Sequence, residues 1–179
     1  VAVILPIKGV DVDTAENLRA LLQQDYPNYR LIFAVETAQD PAVALIKEVT
    51  RGCQLRVDIV VAGLATERGQ KIHNQLAAVE QTTAVDEILI FMDADARPAP
   101  DWIHALVVPL TYGPHIGATT GYRYYVPVEG ENGGSKRGGA NAMASVINAG
   151  VAALFGPYRR TFAWGGSMAV RRQDFFDYG

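Results

Sequence analysis

The feature that most constrains the fold is a repeated alternation between short apolar segments and segments with helical periodicity. The apolar segments are rich in Val, Ile and Leu, as is typical of strands covered on both faces. They predict strands over 1–7, 31–35, 55–61 and 88–92. Because strands and helices alternate along the chain, we expect a mostly parallel central sheet with helices on both faces. The chain is therefore predicted to be an α/β protein.

The segments between these strands carry the spacing of core-facing helices. Asp13 and Glu16 have capping-box spacing before the first helix, and Pro98 with Pro100 is predicted to open the fourth. The remaining expectations are helices over 41–50 and 67–81, a strand over 116–125, a glycine-rich loop over 129–139 and a helix over 140–155.

Size and charge narrow the possible functions. With 179 residues, 49% of them hydrophobic, the chain is long enough for one buried core and is predicted to form one domain. A formal net charge of -3 removes the long-range attraction that a nucleic acid needs, so no nucleic-acid partner is expected. Cys53 is the only cysteine, which suits a reducing compartment. We expect this stretch to be soluble and to belong to a longer protein, because it begins inside a strand-like run.

Asp93-Ala94-Asp95 directly follows the fourth predicted strand. Ligands of open parallel sheets bind at the carboxyl ends of strands. If the segment stays extended, both carboxylates point the same way and can share one cation. Carboxylate oxygens suit Mg²⁺ or Mn²⁺, which acts as a Lewis acid on a departing nucleoside diphosphate. The alternative is that Asp93 and Asp95 only end the strand and lead into the turn at Arg97-Pro98.

Six short segments occur in one order along nearly the whole chain. They are Lys8-Gly9-Val10-Asp11, Asp25-Tyr26-Pro27, Asp40-Pro41-Ala42, Lys71-Ile72-His73-Asn74, Asp93-Ala94-Asp95 and Trp164-Gly165-Gly166-Ser167-Met168. In this order they resemble family 2 glycosyltransferases, most closely the ceramide-glucosyltransferase branch. The resemblance implies a GT-A fold with a Rossmann-like nucleotide-binding half, in a single domain over 1–179 that lacks its C-terminal part.

The resemblance also implies a site for a nucleotide-sugar donor, with UDP-hexose as the expected donor. The implied donor-binding residues are Pro6, Lys8, Glu36, Asp40, Lys71 and Asp93. Asp93 and Asp95 are the implied metal ligands, with Asp95 the principal one. Glu36 stands where Asp is commoner; it either accepts a hydrogen bond from uracil or ribose, or is a solvated loop carboxylate.

Two of the implied donor-binding residues have competing structural interpretations. For Asp40 the favoured interpretation is a helix N-cap before Pro41. For Lys71 the resemblance implies an ammonium near the ribose or the diphosphate. The alternative is a helix residue that faces solvent beside Glu67.

The resemblance also implies which residues lie beside the donor sugar and the acceptor. They are Trp164, Gly165, Gly166 and Ser167. Paired glycines allow close approach of backbone, and an indole offers a face to a sugar ring. The alternative is a Trp that anchors the core beside a tight turn. Arg171 and Arg172 are predicted to be a solvated strand end.

Transfer with inversion needs a general base for the acceptor hydroxyl. In the family this Asp follows the Trp-Gly-Gly segment, but here Asp174 and Asp177 come too soon, within a predicted helix. The base is therefore expected beyond Gly179, and this stretch is expected to bind the donor better than it transfers sugar. The family's Gln-x-x-Arg-Trp sequence is also absent.

The resemblance implies a lipid hydroxyl as acceptor and a parent protein at the cytoplasmic face of a membrane. Basic residues flank the predicted helix over 140–155 on both sides, at Lys136, Arg137, Arg159 and Arg160. This pattern suits a helix lying at an anionic bilayer surface. A helix that simply packs on the protein is the alternative.

Other classes of protein fit the motifs less well. A haloacid-dehalogenase-like phosphatase carries its aspartate pair after the first strand, which here ends in Pro6-Ile7-Lys8-Gly9. A nucleotidyltransferase needs a glycine-rich loop after that strand, and a dehydrogenase needs Gly-x-Gly-x-x-Gly there. A non-catalytic domain that binds nucleotide sugars remains the main alternative.

Overall fold

A computed structural model of the chain describes residues 1–113, 115–122, 139–154 and 166–178. The strands are β1 (Ala2–Pro6), β2 (Arg30–Val35), β3 (Val57–Val61), β4 (Ile88–Met92), β5 (Ala118–Thr120) and β6 (Ser167–Arg171). The helices are α1 (Thr14–Leu22), α2 (Pro41–Val49), α3 (Gln70–Val79), α4 (Trp102–Tyr112), α5 (Gly139–Ala152) and α6 (Arg172–Tyr178).

The strands form one six-stranded sheet in the order β3-β2-β1-β4-β6-β5. The first four strands of this order are parallel, whereas β6 runs antiparallel to both β4 and β5. The predicted α/β class and mostly parallel sheet are confirmed. Ala2 of β1 pairs with Arg30 on one side and with Leu89 on the other. The strand order therefore reverses between β1 and β4, and the carboxyl ends of these two strands border a crevice.

The core has two layers, one on each face of the sheet. Val3 and Leu5 of β1 belong to the cluster that packs against α1, α2 and α4. Ala2 and Ile4 point to the opposite face, where α3 supplies Ala78 and Val79. Because successive strand residues face opposite sides and both sides are covered, the strands are apolar throughout. This arrangement places the strand ends at the crevice between two packed layers.

The helix ends differ from prediction in ways that local contacts explain. Asp13 is the N-cap residue of α1 but makes no side-chain cap. Instead the Asp11 N–H donates to the Thr14 hydroxyl at 2.8 Å, so the predicted capping box is wrong. Helix α4 begins at Trp102, after both prolines, although its predicted core stripe is buried. Residues 123–125 of the predicted fifth strand and most of the predicted glycine-rich loop lie outside the described residues.

An ion cluster joins the sheet to the segment before β4. The Arg30 guanidinium donates to both Asp86 carboxylate oxygens at 3.0 and 2.7 Å and to Asp58 at 2.6 Å. The side chains of Arg30 and Asp86 are only 7% and 5% exposed. Burial opposes ionisation of Asp86, but hydrogen bonds from Arg30 and from the Thr83 N–H outweigh it, so the pKa of Asp86 is lowered. The hydrogen bond to Asp86 likewise raises the pKa of Arg30.

Candidate functional site

A cleft of about 510 Å³ opens at the carboxyl ends of β1 and β4. Its walls are the loop after β1, the start of α1, Lys71 of α3 and the segment after β4. The lining residues are Pro6, Ile7, Lys8, Gly9, Asp11, Val12, Asp13, Thr14, Asn17, Lys71, Asp93, Ala94 and Asp95. Five of the residues singled out from the sequence, Pro6, Lys8, Lys71, Asp93 and Asp95, thus line one cleft.

The segment that carries both aspartates is a turn and not an extended strand end. The Ala96 N–H donates to the Asp93 carbonyl at 3.2 Å, closing this turn. The condition that Asp93-Ala94-Asp95 stays extended is therefore not met, because β4 ends at Met92 and a turn follows, as in the alternative interpretation. Both aspartates nevertheless line the same cleft, with Asp93 half-buried and Asp95 exposed. The turn therefore places both residues at the cleft without an extended backbone.

Helix α1 anchors this turn through Asn17. The Asn17 side-chain amide donates to the Ala94 carbonyl at 3.4 Å, and its oxygen accepts from Arg97 Nε at 3.1 Å. Arg97 also forms an ion pair with Glu16 at 2.7 Å. The sequence analysis did not predict that Asn17 and Arg97 hold this turn. The sequence did carry one sign of this contact. Asn17 is an amide on the buried face of α1, which consists of Thr14, Asn17, Leu18 and Leu21, and a buried amide needs a hydrogen-bond partner.

Lys71 reaches Asp93 across the cleft. The distance between Lys71 Nζ and Asp93 Oδ1 is 2.5 Å, with side chains 56% and 26% exposed. The first turn of α3 is held firmly beneath it. Gln70 accepts from the Ala65 N–H at 2.8 Å and donates to the Gly63 carbonyl at 2.8 Å. The Asn74 amide donates to the Ala34 carbonyl at the end of β2 at 3.4 Å.

The loop after β1 is fixed to the end of β2. Lys8 Nζ lies 3.1 Å from Glu36 Oε2, so two of the implied donor-binding residues are in contact. Asp40 is buried and caps α2 by accepting from the Ala42 N–H at 2.9 Å, as the favoured interpretation requires. The same carboxylate accepts from the Gly9 N–H at 3.0 Å. Gly9 has a φ of 69°, which favours glycine at this position.

Gly166 and Ser167 lie beside the turn at Asp93. The Asp93 N–H donates to the Gly166 carbonyl at 2.9 Å, and Gly166 has a φ of 106°. The Ser167 hydroxyl accepts from the Trp102 indole N–H at 3.2 Å. Trp164 and Gly165 lie outside the described residues. Sequence reasoning placed a sugar-facing Trp at Trp164 and did not single out Trp102, since a tryptophan in a helix gives no sign of a distant partner.

Residues near the end of the chain lie in β6 and α6. Asp174 forms an ion pair with Arg171 at 3.0 Å, and Asp177 accepts from Gln173 at 2.9 Å. Neither aspartate lines the cleft. Arg171 ends β6 as predicted, but the prediction that Arg171 and Arg172 are solvated is wrong, because both side chains make contacts within the protein. Arg171 donates to the Leu110, Ile116 and Gly113 carbonyls, and Arg172 packs over Phe176 at 4.5 Å.

The cleft suits a divalent ion that is shared with a phosphate ligand. Within the described part of the chain, no group of three or more His, Cys, Asp or Glu side chains is arranged to hold a metal. Asp93 and Asp95 supply hard carboxylate oxygens from a single turn at the cleft. Mg²⁺ is typically held by one or two carboxylates, with water and substrate phosphates completing its shell. The two aspartates fit such an ion, and Lys71 places a further positive charge beside them.

The family is decided by a match over the whole length of the chain. The profile of glycosyl transferase family 21 matches residues 1–179. The chain belongs to glycosyltransferase family 21. The predicted glycosyltransferase class is thereby confirmed, while the family 2 label stays a prediction.

Solved structures support the same fold for this family 21 chain. The mannosyltransferase PcManGT from Pyrobaculum calidifontis, in complex with GDP-Man and Mn²⁺, is 22% identical at a TM-score of 0.66, covering 99% of this chain and 46% of that chain. Glucosyl-3-phosphoglycerate synthase from Mycobacterium tuberculosis, in complex with Mn²⁺, UDP and phosphoglyceric acid, is 18% identical at a TM-score of 0.57, covering 96% and 55%.

These likenesses establish the fold, which is of GT-A type. The family 21 chain spans about half the length of each of the two enzymes. In the described ranges, no helix combines the length and apolar character required to span a bilayer.

Proposed function

We propose that the chain is the donor-binding part of an inverting hexosyltransferase, which binds UDP-hexose together with Mg²⁺ or Mn²⁺. The observation that carries the proposal is the convergence of Asp93, Asp95 and Lys71 on one cleft at the point where strand order reverses. Two further facts support it. The family is a glycosyltransferase family, and two solved proteins of the same fold are in complex with a guanosine or uridine diphosphate ligand and Mn²⁺.

Each residue has a distinct role in this proposal. Asp95 is the principal metal ligand because its side chain is exposed in the cleft, and Asp93 serves as second ligand or binds ribose. Lys8 and Glu36 follow β1 and β2 and form an ion pair. The Glu36 carboxylate accepts hydrogen bonds from uracil or ribose, and Lys8 holds it in place. When bound, the metal supplies Lewis-acid stabilisation of the negative charge that develops on the leaving diphosphate.

The proposed acceptor is a lipid hydroxyl, presented at the cytoplasmic face of a membrane. Helix α5 supports this part of the proposal. Its side chains Met143, Val146 and Ile147, spaced as i, i+3 and i+4, are 65%, 71% and 59% exposed. An exposed apolar face flanked in sequence by basic residues suits an anionic bilayer surface. Co-sedimentation with vesicles containing anionic lipid tests this contact, and equal recovery with neutral vesicles or none would exclude it.

The donor site is tested by titrating UDP, GDP and CDP with and without Mn²⁺. We expect UDP to bind more tightly than the other two, and at least about tenfold more tightly with Mn²⁺ than without it. Asp95→Asn should remove the effect of Mn²⁺, because it takes away a ligand charge. Asp174→Asn is the matched control, since Asp174 contacts Arg171 outside the cleft. Metal-independent binding, or equal loss in both variants, contradicts the proposal.

A domain that binds nucleotide sugars without transferring sugar would give the same titrations. Asp174 and Asp177 make their contacts outside the cleft, so neither lies beside the proposed donor site, and this favours the second candidate for the chain. An assay for transfer of radiolabelled hexose from UDP-hexose to a lipid acceptor, made with this chain and with any longer protein that contains it, separates the two. Donor binding without any transfer would support the binding domain.

A further inference from the structure

Lys71 and Asp93 form an ion pair within the lining of the cleft. Lys71 Nζ lies 2.5 Å from Asp93 Oδ1, and both side chains line the same cleft as Asp95. Asp93 therefore already has a cationic partner within the protein. A divalent ion that uses the Asp93 carboxylate must share it with this ammonium or displace it, because two cations so close repel each other.

We infer that Lys71 makes metal binding depend on the nucleotide by competing with the divalent ion for Asp93 and by pairing with the diphosphate once the donor is bound. This inference rests on the proposed donor site. It adds to that site a coupling between its two ligands, because Lys71 has opposite effects on the ion and on the nucleotide. Lys71 weakens the binding of the bare ion and strengthens the binding of the diphosphate.

The setting of Lys71 supports a side chain that switches partners while its backbone stays in place. Gln70 and Asn74 tie the first turn of α3 to the ends of β2 and β3. His73 adds a hydrogen bond to the Ala62 carbonyl at 2.9 Å. In contrast, the Lys71 side chain is 56% exposed, and the flexible stem of a lysine allows its ammonium to move among nearby anions.

The diphosphate is the partner that the displaced ammonium needs. A nucleoside diphosphate that binds the ion at Asp93 and Asp95 brings its own negative charge into the same cleft. Lys71 then exchanges a carboxylate for a phosphate oxygen and stays paired. Without nucleotide, the ammonium loses the one ion pair that it makes among the described residues when the ion takes Asp93. The two ligands are therefore coupled, and by linkage each increases the affinity of the other.

The test measures Mn²⁺ binding without nucleotide, from the electron paramagnetic resonance signal of the free ion, and UDP binding by calorimetry. Lys71→Met is expected to bind Mn²⁺ about tenfold more tightly than the wild type, because the competing charge is gone. The same variant should bind UDP without metal at least about threefold more weakly. Lys47→Met is the matched control, since it removes the same charge from an exposed site on α2 outside the cleft.

A second background isolates the competition for Asp93. In Asp93→Asn, the additional change Lys71→Met should raise Mn²⁺ affinity by less than about threefold, because the shared carboxylate is absent. Thermal melting of each variant checks that it is folded. If Lys71→Met leaves Mn²⁺ affinity unchanged or lowers it while the wild type still binds UDP with Mn²⁺, the inference fails and the donor site stands. If the wild type binds neither ligand, both fail.

Discussion

Asn17 connects the first helix to the turn that carries both proposed metal ligands. Its amide holds the Ala94 carbonyl and the Arg97 guanidinium, and the residue is only 5% exposed. Removing a buried amide leaves its partners without a hydrogen bond at a cost of about 1–3 kcal/mol. Asn17→Ala should therefore lower Mn²⁺-dependent UDP affinity by about tenfold and reduce stability, as measured by calorimetry and urea unfolding.

Gln24→Ala provides the control for this prediction. Gln24 is another buried amide of the same region, 8% exposed, and it donates to the Ala20 and Ala99 carbonyls. It does not line the cleft. We expect a comparable loss of stability with UDP affinity within about twofold of the wild type. Equal loss of UDP affinity in both variants would show that Asn17 acts through general stability alone.

Single residues show what the sequence could and could not reveal about the site. Asp93 and Asp95 were predictable because two carboxylates after an apolar strand are a local pattern. Asp40 was predictable as a cap because Pro41 follows it. Asn17 and Trp102 were not, because their partners lie 77 and 65 residues away. No periodicity within one element encodes a hydrogen bond to another element.

At the scale of elements, β6 and the residue after β5 approach each other closely. A Cβ built on Gly121 would lie 2.1 Å from the Ser167 hydroxyl oxygen. That hydroxyl accepts from the Trp102 indole. Gly121→Ala would force it to rotate away and leave the indole N–H unpaired, so we expect a loss of about 1–3 kcal/mol in urea unfolding.

The matched background for Gly121→Ala is Ser167→Ala. Without the hydroxyl, the nearest atom of residue 167 to the added methyl is its Cβ at 3.5 Å, an ordinary contact. Gly121→Ala should then cost less than about 0.5 kcal/mol, and the double-mutant cycle gives the coupling directly. The same cost in both backgrounds would place the strain elsewhere in the turn.

The elements themselves were largely predictable, and their ends were not. Strand β4 coincides with its prediction, because five consecutive apolar residues are bounded by charged ones. Helix α3 is three residues shorter at its start than predicted, since Gly69 takes an extended conformation and serves as N-cap. Helix α1 starts with a Thr14 contact in place of the predicted box. Caps depend on backbone angles that spacing alone does not specify.

At the scale of the whole molecule, the ion cluster of Arg30, Asp86 and Asp58 joins β2 and β3 to the segment before β4. The pKa of Asp86 is lowered in the folded state. A lowered carboxyl pKa contributes stability above its unfolded value and loses it as pH falls through the folded value. We therefore expect the wild type to lose stability on acidification below about pH 4. In Asp86→Asn this part of the pH dependence should be missing.

At neutral pH, Asp86→Asn should cost about 3 kcal/mol, because it leaves a buried guanidinium with one carboxylate fewer. Urea unfolding at a series of pH values from neutral to acidic measures both effects. Asp174→Asn removes a carboxylate from a partly exposed pair and should cost less than about 1 kcal/mol. Parallel pH profiles for the wild type and Asp86→Asn would contradict the role given to Arg30.

The order of strands explains why the sheet was predicted in class but not in detail. Alternating strands and helices indicated the parallel part. The antiparallel insertion of β6 between β4 and β5 follows a segment of the chain with no strong periodicity. Which strands become neighbours is decided by packing of the whole chain, and the five residues of β6, Ser-Met-Ala-Val-Arg, do not specify the direction of the strand.

The pairing of β1 with β4, register Ala2 to Leu89, has a consequence for synthesis and refolding. A chain that has been synthesised only as far as β3 contains the loop after β1 but lacks Asp93 and Asp95. It therefore has only one of the two strand ends that border the cleft. Donor and ion affinity should arise together, in the step that docks β4 beside β1. Binding of UDP with Mn²⁺ would then report completion of the four parallel strands during refolding, earlier than any assay that requires sugar transfer.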